Sequence, residues 1–284
     1  MKRVLITGAN SYIGTSFEKY VKDKGIHFEI DTLDLLDPNW EEFDFSSYDS
    51  IFHVAGIAHF SKDESKKQLY YDVNTELTYR VASRARLAGV NQFIFMSSII
   101  VYGDSSSSQR IITKNTTPSP SDFYGDSKWQ AEKKLSELSN DDFDIVIIRP
   151  PMIYGKGSKG NYPKLSNLAQ KTPVFPNISN SRSMLHIDNL CEFIVQAVER
   201  RIEGIYFPQN SEYVTTSELV AKIAQVHNKK IYLTKLFNPI IRLFFGFDTV
   251  KKVFGNLVYE KELSQYDFEY QVIEFEESIN STER

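Results

Sequence analysis

Short, almost wholly apolar runs that alternate with amphipathic stretches constrain this chain more than any other feature. "RVLITG", "HFEIDTLD", "SIFHVAG", "QFIFMSS" and "FDIVIIRPP" each read as a buried strand rich in Ile, Val and Phe. Helical patterns over 13–24, 76–88 and 125–138 lie between them. Strands that are apolar on both faces need helices on both sides, so the expected fold is α/β, a Rossmann-type doubly wound parallel sheet. That sheet is assigned mainly to residues 1–155. After about Pro151 the pattern breaks into loops such as "YGKGSKGNYPK", and residues 156–284 are expected to form mainly a smaller C-terminal substrate-binding lobe, with some segments returning to the first domain. Helices are expected from about Asn189 and in "TTSELVAKIAQVH", the latter capped by Thr216 or Ser217. A length of 284 residues, 41% hydrophobic, is enough to bury a sizeable core.

Composition excludes several classes. Cys191 is the only cysteine and falls on an apolar helix face, so it is read as core, and the chain has no internal disulfide. The net charge is −4 with dispersed Lys and Arg, which argues against a nucleic-acid partner. No run reaches the roughly 18 apolar residues of a membrane span. Met1 leads straight into "KRVLITG", so no secretory leader is expected and the expected location is cytoplasmic. No metal site is expected, because HExxH and cysteine clusters are missing. A GxSxG elbow is missing too, and "GKGSKGN" has Asn161 at the lysine position of a phosphate loop. The polar stretch 104–110 reads as a loop. The apolar stretch 237–255 reads as a pocket wall or lobe-packing helix, in competition with a membrane-surface helix; few basic residues and Pro239 speak against the latter.

Three constellations carry chemistry. In "TGANSYIG", Gly8 permits a tight turn and Gly14 close helix packing, while Ser11 stands where a third glycine is common. Its hydroxyl could donate to a phosphate. By itself this turn suits a dinucleotide loop or a plain strand-to-helix connection equally. Asp34 ends the second strand pattern 20 residues after Gly14, where a carboxylate can accept both ribose hydroxyls and repel a 2′-phosphate; Asp31 and Asp37 are rivals. Tyr124 and Lys128 share one helix face, and an ammonium beside the phenol would lower its pKa towards neutrality for proton exchange with a hydroxyl. Ser98, at the end of "QFIFMSS", could orient the reacting oxygen, whereas Ser97 should point the other way.

"TGANSYIG", "HVAG", "SSIIVYG", "YGDSK" and "RPPMIYG", in this order, resemble the extended short-chain dehydrogenase/reductase superfamily, and more narrowly its nucleotide-sugar epimerase/dehydratase/4-ketoreductase branch. The resemblance runs from Lys2 to about Val198. It implies a catalytic triad of Ser98, Tyr124 and Lys128, and it makes the opening turn a dinucleotide loop with Gly8, Asn10, Ser11, Tyr12, Ile13 and Gly14 against NAD. Asp34 would hold the ribose, which favours NAD over NADP. By the same resemblance Asp44 and Phe45 lie beside the adenine, and Val54, Ala55 and Gly56 along the cofactor. His53 is either part of that loop or a satisfied core histidine. Arg182 matches the clamp on a UDP-sugar diphosphate, and Asn161 and Phe175 fall near the uridine, the latter as a stacking face. Members commonly dimerise through helices equivalent to 76–88 and 125–138, so a homodimer is expected.

Departures from the family pattern narrow the reaction. Its dehydratases carry Asp and Glu immediately after the catalytic hydroxyl residue, where this chain has Ile99 and Ile100, so dehydration is disfavoured. Pro151 and Met152, the missing acid after "RSM" and a short C-terminal lobe resemble reductases of UDP-4-keto-6-deoxy-N-acetylhexosamines in surface-polysaccharide biosynthesis. The preferred expectation is a 4-ketoreductase. The alternative is a UDP-glucose or UDP-N-acetylglucosamine 4-epimerase, and the remote one a catalytically silent NAD-binding sensor, against which the intact triad speaks.

Overall fold

The computed structural model describes residues 1–58, 63–106, 108 and 110–284; Ser107 and Gln109 of the polar stretch 104–110 lie outside the described residues. The chain divides into two compact units. One comprises Met1–Gly103, Thr117–Pro150 and Leu190–Pro208, and the other Asp104–Thr116, Pro151–Asn189 and Gln209–Arg284.

All five apolar runs become strands of one sheet in the first unit: β1 (Lys2–Thr7), β2 (Phe28–Leu33), β3 (Ser50–His53), β4 (Gln92–Met96) and β5 (Asp144–Ile148). A short edge strand, β6 (Gly204–Tyr206), completes the order β6-β5-β4-β3-β1-β2, with every pairing parallel. The chain leaves β1 to one side for β2 and returns to its other side for β3. Beyond the carboxyl ends of β1 and β3 such a reversal opens the crevice where open α/β sheets bind ligands. Thr7 is in register with both Leu33 and His53, so Gly8, Asp34 and Val54 each follow a strand that ends at the same level.

Helices cover both faces because successive side chains point to opposite sides. Leu5, Ile51, Phe93, Phe95 and Ile147 pack with Val81 and Ala85 of α2 (Thr78–Leu87) and with Ala131 and Leu135 of α3 (Phe123–Ser136). Phe52, pointing the opposite way from Ile51, meets Phe17 of α1 (Tyr12–Lys24) edge-on at 5.4 Å. α4 (Ile187–Arg200) carries the fully buried Cys191, as expected of a core position, and its Phe193 lies 5.5 Å from Tyr206. Immediately before α2 the chain makes a π-helical turn, Tyr71–Leu77, which a 3.6-residue period does not reveal.

The second unit is built from short elements around Tyr154, Tyr162, Phe175, Met184 and Ile223. Its helices include Asn161–Lys171, Thr216–Val226 and Phe275–Glu283. The cap of Thr216–Val226 is Thr215, whose hydroxyl accepts from Glu218 N at 3.0 Å. Thr216 and Ser217, expected to cap it, are instead buried and donate to the carbonyls of Val253 and Pro176. Among the described residues no helix is long and apolar enough to cross a membrane, and no group of His, Cys, Asp and Glu could hold a metal ion.

Candidate active site

Ser97 and Ser98 follow β4 with opposite fates. Ser97 is buried and its hydroxyl donates to Glu132, which also forms an ion pair with Arg149 at 2.5 Å. Arg149 in turn donates to the Tyr102 hydroxyl at 2.6 Å. That closed network removes Ser97 from consideration as the reacting hydroxyl. Ser98 is extended and half-buried, and it caps the short 3-10 turn Ile99–Tyr102, accepting from Ile100 N at 3.3 Å.

α3 supplies the other two members. Asp122 caps it by accepting from Gly125 N at 2.8 Å. A Cβ on Gly125 would stand 2.8 Å from Ile100 O, so a residue without a side chain lets the Ser98 turn lie against the first turn of α3. Ser98 thereby reaches Tyr124, and its hydrogen bond there opposes the upward pull of burial on the phenol. Burial prevails, and the Tyr124 pKa is raised to about 12. The lowering by Lys128 that the spacing suggested is not what the fold produces. The reason is geometric: Lys128 Nζ donates to Met96 O at 2.9 Å and lies 4.6 Å over the Phe95 ring. Burial lowers the Lys128 pKa to about 8, with Glu132 opposing.

One residue escaped the reading of the sequence. Asn74, in the π-helical turn, is fully buried; its Oδ1 accepts from Ile57 N at 2.9 Å, and its Nδ2 donates to Ile57 O and Ser127 Oγ at 3.0 Å each. Thr75 donates to Ser127 O at 2.7 Å. Together they tie the loop after β3 to α3. A Cβ on Gly56 would come within 3.0 Å of Asn74 Oδ1 and 3.1 Å of Lys128 Nζ, so this loop runs directly over the lysine. The only signal in the sequence is a polar pair on the inward side of a helix.

The glycine turn meets the same loop. A Cβ on Gly8 would stand 2.7 Å from Ala55 N, and Val54 N and Ala55 N both donate to Thr7 O. Gly14 packs against β1, where a Cβ would come within 3.0 Å of Ile6. Ser11 is the α1 cap and accepts from Gly14 N at 3.1 Å, which leaves its proton available for donation. Asn10 adopts a left-handed conformation, and Tyr12 and Ile13 open α1 half-buried. Asp34 is exposed directly after β2. Of its rivals, Asp31 is held by Arg3 and by Tyr48 at 2.9 Å, and Asp37 accepts from Asn39 N. Asp44 is exposed, and hydrogen bonds first from the Ser46 side chain and then from Ser46 N hold its carboxyl below the ordinary value. Phe45, expected beside the adenine, is a core residue only 1% exposed and offers no face to a ligand. His53 sits fully buried between Thr7 at 2.7 Å and Thr78 at 3.0 Å, its pKa lowered to about 3 by burial and then by Lys128. It is a satisfied neutral core histidine.

This match of topology and side chains agrees with the comparisons. A model of the NAD dependent epimerase/dehydratase family matches residues 4–206. The chain belongs to that family. It is 31% identical to a UDP-glucose 4-epimerase of Vibrio cholerae, over 90% of this chain and 86% of that one. It is 32% identical to the N-acetyl-α-D-glucosaminyl-diphospho-ditrans,octacis-undecaprenol 4-epimerase of Escherichia coli O157:H7, over 89% and 81%. The structure of a Thermus thermophilus UDP-glucose 4-epimerase complex with NAD superposes with a TM-score of 0.76 at 18% identity, covering 99% of this chain and 97% of that one.

As a member of this enzyme family the chain takes a nicotinamide dinucleotide, and the residues present fit one. The Gly8 turn offers backbone with no side chain in the way, and the N-terminus of α1 presents the positive end of a helix dipole. The remaining expected positions lie in the second unit. Asn161 is exposed at the first turn of its helix. Arg182 donates from Nη1 to Gly255 O at 3.2 Å, and burial lowers its pKa to about 10, which keeps it protonated at neutral pH. Phe175 does not offer the expected stacking face: it is 3% exposed, and its ring packs 5.7 Å from Phe254 in the core.

Proposed function

We propose that the enzyme oxidises and reduces C4 of a hexose carried on a diphosphate, and that its net reaction is 4-epimerisation. The observations that support the reading are the hydrogen bond between Ser98 and Tyr124 and the placement of Lys128 beneath the loop that follows β3. Two relatives above 30% identity that span most of this chain are both 4-epimerases, one of a UDP-sugar and one of an undecaprenyl-diphosphate-linked sugar, which supports epimerisation over a single reduction. The chemistry common to both substrates is a glycosyl diphosphate.

When bound, the nicotinamide accepts a hydride from C4 or returns one to it. Tyr124 holds the proton at the C4 oxygen, receiving it as the carbonyl forms and giving it back as the carbonyl is reduced. Ser98 donates to the same oxygen and fixes its direction towards the phenol. Lys128 brings positive charge beneath the loop of Gly56 and is proposed to hold the dinucleotide there. Asn74 acts at one remove, holding that loop on α3. Ile99 and Ile100 offer no proton, which supports chemistry confined to C4. Gly8, Asn10, Ser11, Tyr12, Ile13, Gly14, Val54, Ala55 and Gly56 are proposed to hold the dinucleotide, with Asp44 at the adenine. Asp34 at the ribose supports NAD over NADP. Arg182, cationic and committed to one backbone carbonyl, is proposed to grip the diphosphate, with Asn161 near the nucleoside or lipid carrier. The family resemblance supports a homodimer through α2 and α3, which sedimentation velocity measures.

A 4-ketoreductase is the second reading. A Tyr124 pKa of about 12 keeps the phenol protonated, as a proton donor to a keto sugar should be, and Pro151 and Met152 resemble that group. Deuterium at C4 tests the epimerase route. Epimerisation predicts an epimer that retains the C4 deuterium, because the same hydrogen leaves and returns. An epimer that has exchanged it for solvent hydrogen contradicts the proposed route.

A further inference from the structure

Eight of the seventeen large apolar side chains left exposed among the described residues fall between Tyr232 and Phe247. Single exposed apolar residues are ordinary on protein surfaces, but a contiguous cluster marks an interaction face. Here the cluster has helical order. A short helix, Asn238–Leu243, starts with Pro239 in its first turn, where a missing N–H costs nothing. The winding continues through Phe244 N to Ile240 O and Phe247 N to Phe244 O. Leu236, Ile240, Leu243 and Phe247 are 82%, 57%, 81% and 63% exposed and form one stripe, with Phe237 and Phe244 beside it. Ile241 and Phe245 are half-buried. The stripe is therefore neither a pocket wall nor a buried packing helix, and Pro239 begins the helix instead of interrupting it.

Charge identifies what the stripe faces. Residues 229–252 hold six Lys and Arg against one Asp, a net of +5 in a chain whose total is −4. Lys235, directly before the stripe, and Arg242, within it, are exposed. A second copy of the same face would set +5 against +5. An anionic bilayer surface complements both properties, taking apolar side chains among its acyl chains and cations at its phosphates. We propose that the stripe Leu236–Phe247 docks the enzyme on an anionic phospholipid membrane, lying in the plane of its surface. This inference stands on the surface alone and needs no particular sugar or carrier.

Vesicle flotation of the full chain tests it, with vesicles of phosphatidylglycerol and phosphatidylethanolamine compared with phosphatidylcholine. The wild type should float with the anionic vesicles, less so in high salt, and only weakly with phosphatidylcholine. The pair Leu243→Glu and Phe247→Glu should lower the bound fraction by about tenfold or more, the scale of losing one or two buried apolar side chains. Thermal melting checks that the pair folds. Leu236→Glu, at an 82% exposed site, is the second variant and should act in the same direction. Absence of wild-type flotation, or equal flotation of folded variants, overturns the proposal. So does a dimer abolished by these substitutions in a chain that ignores vesicles, because the occupant is then a second copy. The readout is partitioning, so turnover measured separately on soluble UDP-sugars keeps the C4 chemistry and the docking face independently testable.

Discussion

At Tyr124 burial and a hydrogen bond from Ser98 pull in opposite directions, and burial wins with a pKa of about 12. Proton exchange at C4 then depends on this one hydroxyl. Tyr124→Phe should fold and bind dinucleotide normally while turnover falls by about two orders of magnitude or more; near-normal turnover would remove the phenol from the mechanism. Asp34→Ala should erase preference for NAD over NADP in dissociation constants measured for each, and unchanged discrimination would move the ribose contact elsewhere. His53 makes a prediction about pH. The folded chain keeps it neutral down to about 3, against an ordinary value of 6.5, so between those values the unfolded chain binds a proton that the folded chain refuses. Its contribution is complete above about pH 6.5 and is lost as pH falls towards 3, at a slope of up to about 1.4 kcal/mol per pH unit. Urea midpoints at several pH values should show a shallower acid slope in His53→Gln. Alternation along a strand made the choice of Ser98 over Ser97 legible in the sequence. The direction of the Lys128 ammonium was not, because Met96 O comes from a strand 32 residues away.

Between elements, close approach decides the site. Gly125 has no special backbone angle; what demands it is Ile100 O, 2.8 Å from where a Cβ would stand. Gly125→Ala should push the Ser98 turn away from α3, costing about 1–3 kcal/mol in unfolding experiments and lowering kcat more than it raises KM. Unchanged kcat with an intact fold would show that Ser98 does not need this contact. The strand and helix periods gave α1, α2 and α3 to within a few residues. They could not show the π-helical turn Tyr71–Leu77, because its extra residue per turn carries no hydrophobic signature. Asn74 was missed with it. Its three hydrogen bonds are all to positions distant in sequence, and a buried polar side chain without its partners in view looks like any exposed one.

Across the molecule, legibility follows the regularity of the sheet. Five strand patterns and a glycine turn after the first implied a parallel sheet with its crevice beyond β1 and β3, and the strand order has its reversal there; β2, expected to be buried, lies at the sheet edge and buries only Leu33. The edge strand β6, three residues long and partly exposed, carries too little apolar signal to announce itself. In the second unit the strands are two or three residues long, and their pairing depends on contacts between distant segments. Phe175 illustrates the cost: nothing local distinguishes a ring that stacks on a ligand from one that packs on Phe254. The apolar stretch after Leu236 was visible as a composition, but only its exposure turned it into a surface. Product analysis decides whether one enzyme oxidises C4 reversibly. Purified chain carrying its dinucleotide is incubated with UDP-glucose, UDP-N-acetylglucosamine and undecaprenyl-diphosphate-linked N-acetylglucosamine in turn, and C4 configuration is read by NMR while nicotinamide absorbance is followed. A C4 epimer from at least one substrate, with no net change in the nicotinamide, is the expected result. No epimer from any of them, together with stoichiometric consumption of reduced nicotinamide by a UDP-4-keto-6-deoxy sugar, would contradict it and make the enzyme a reductase.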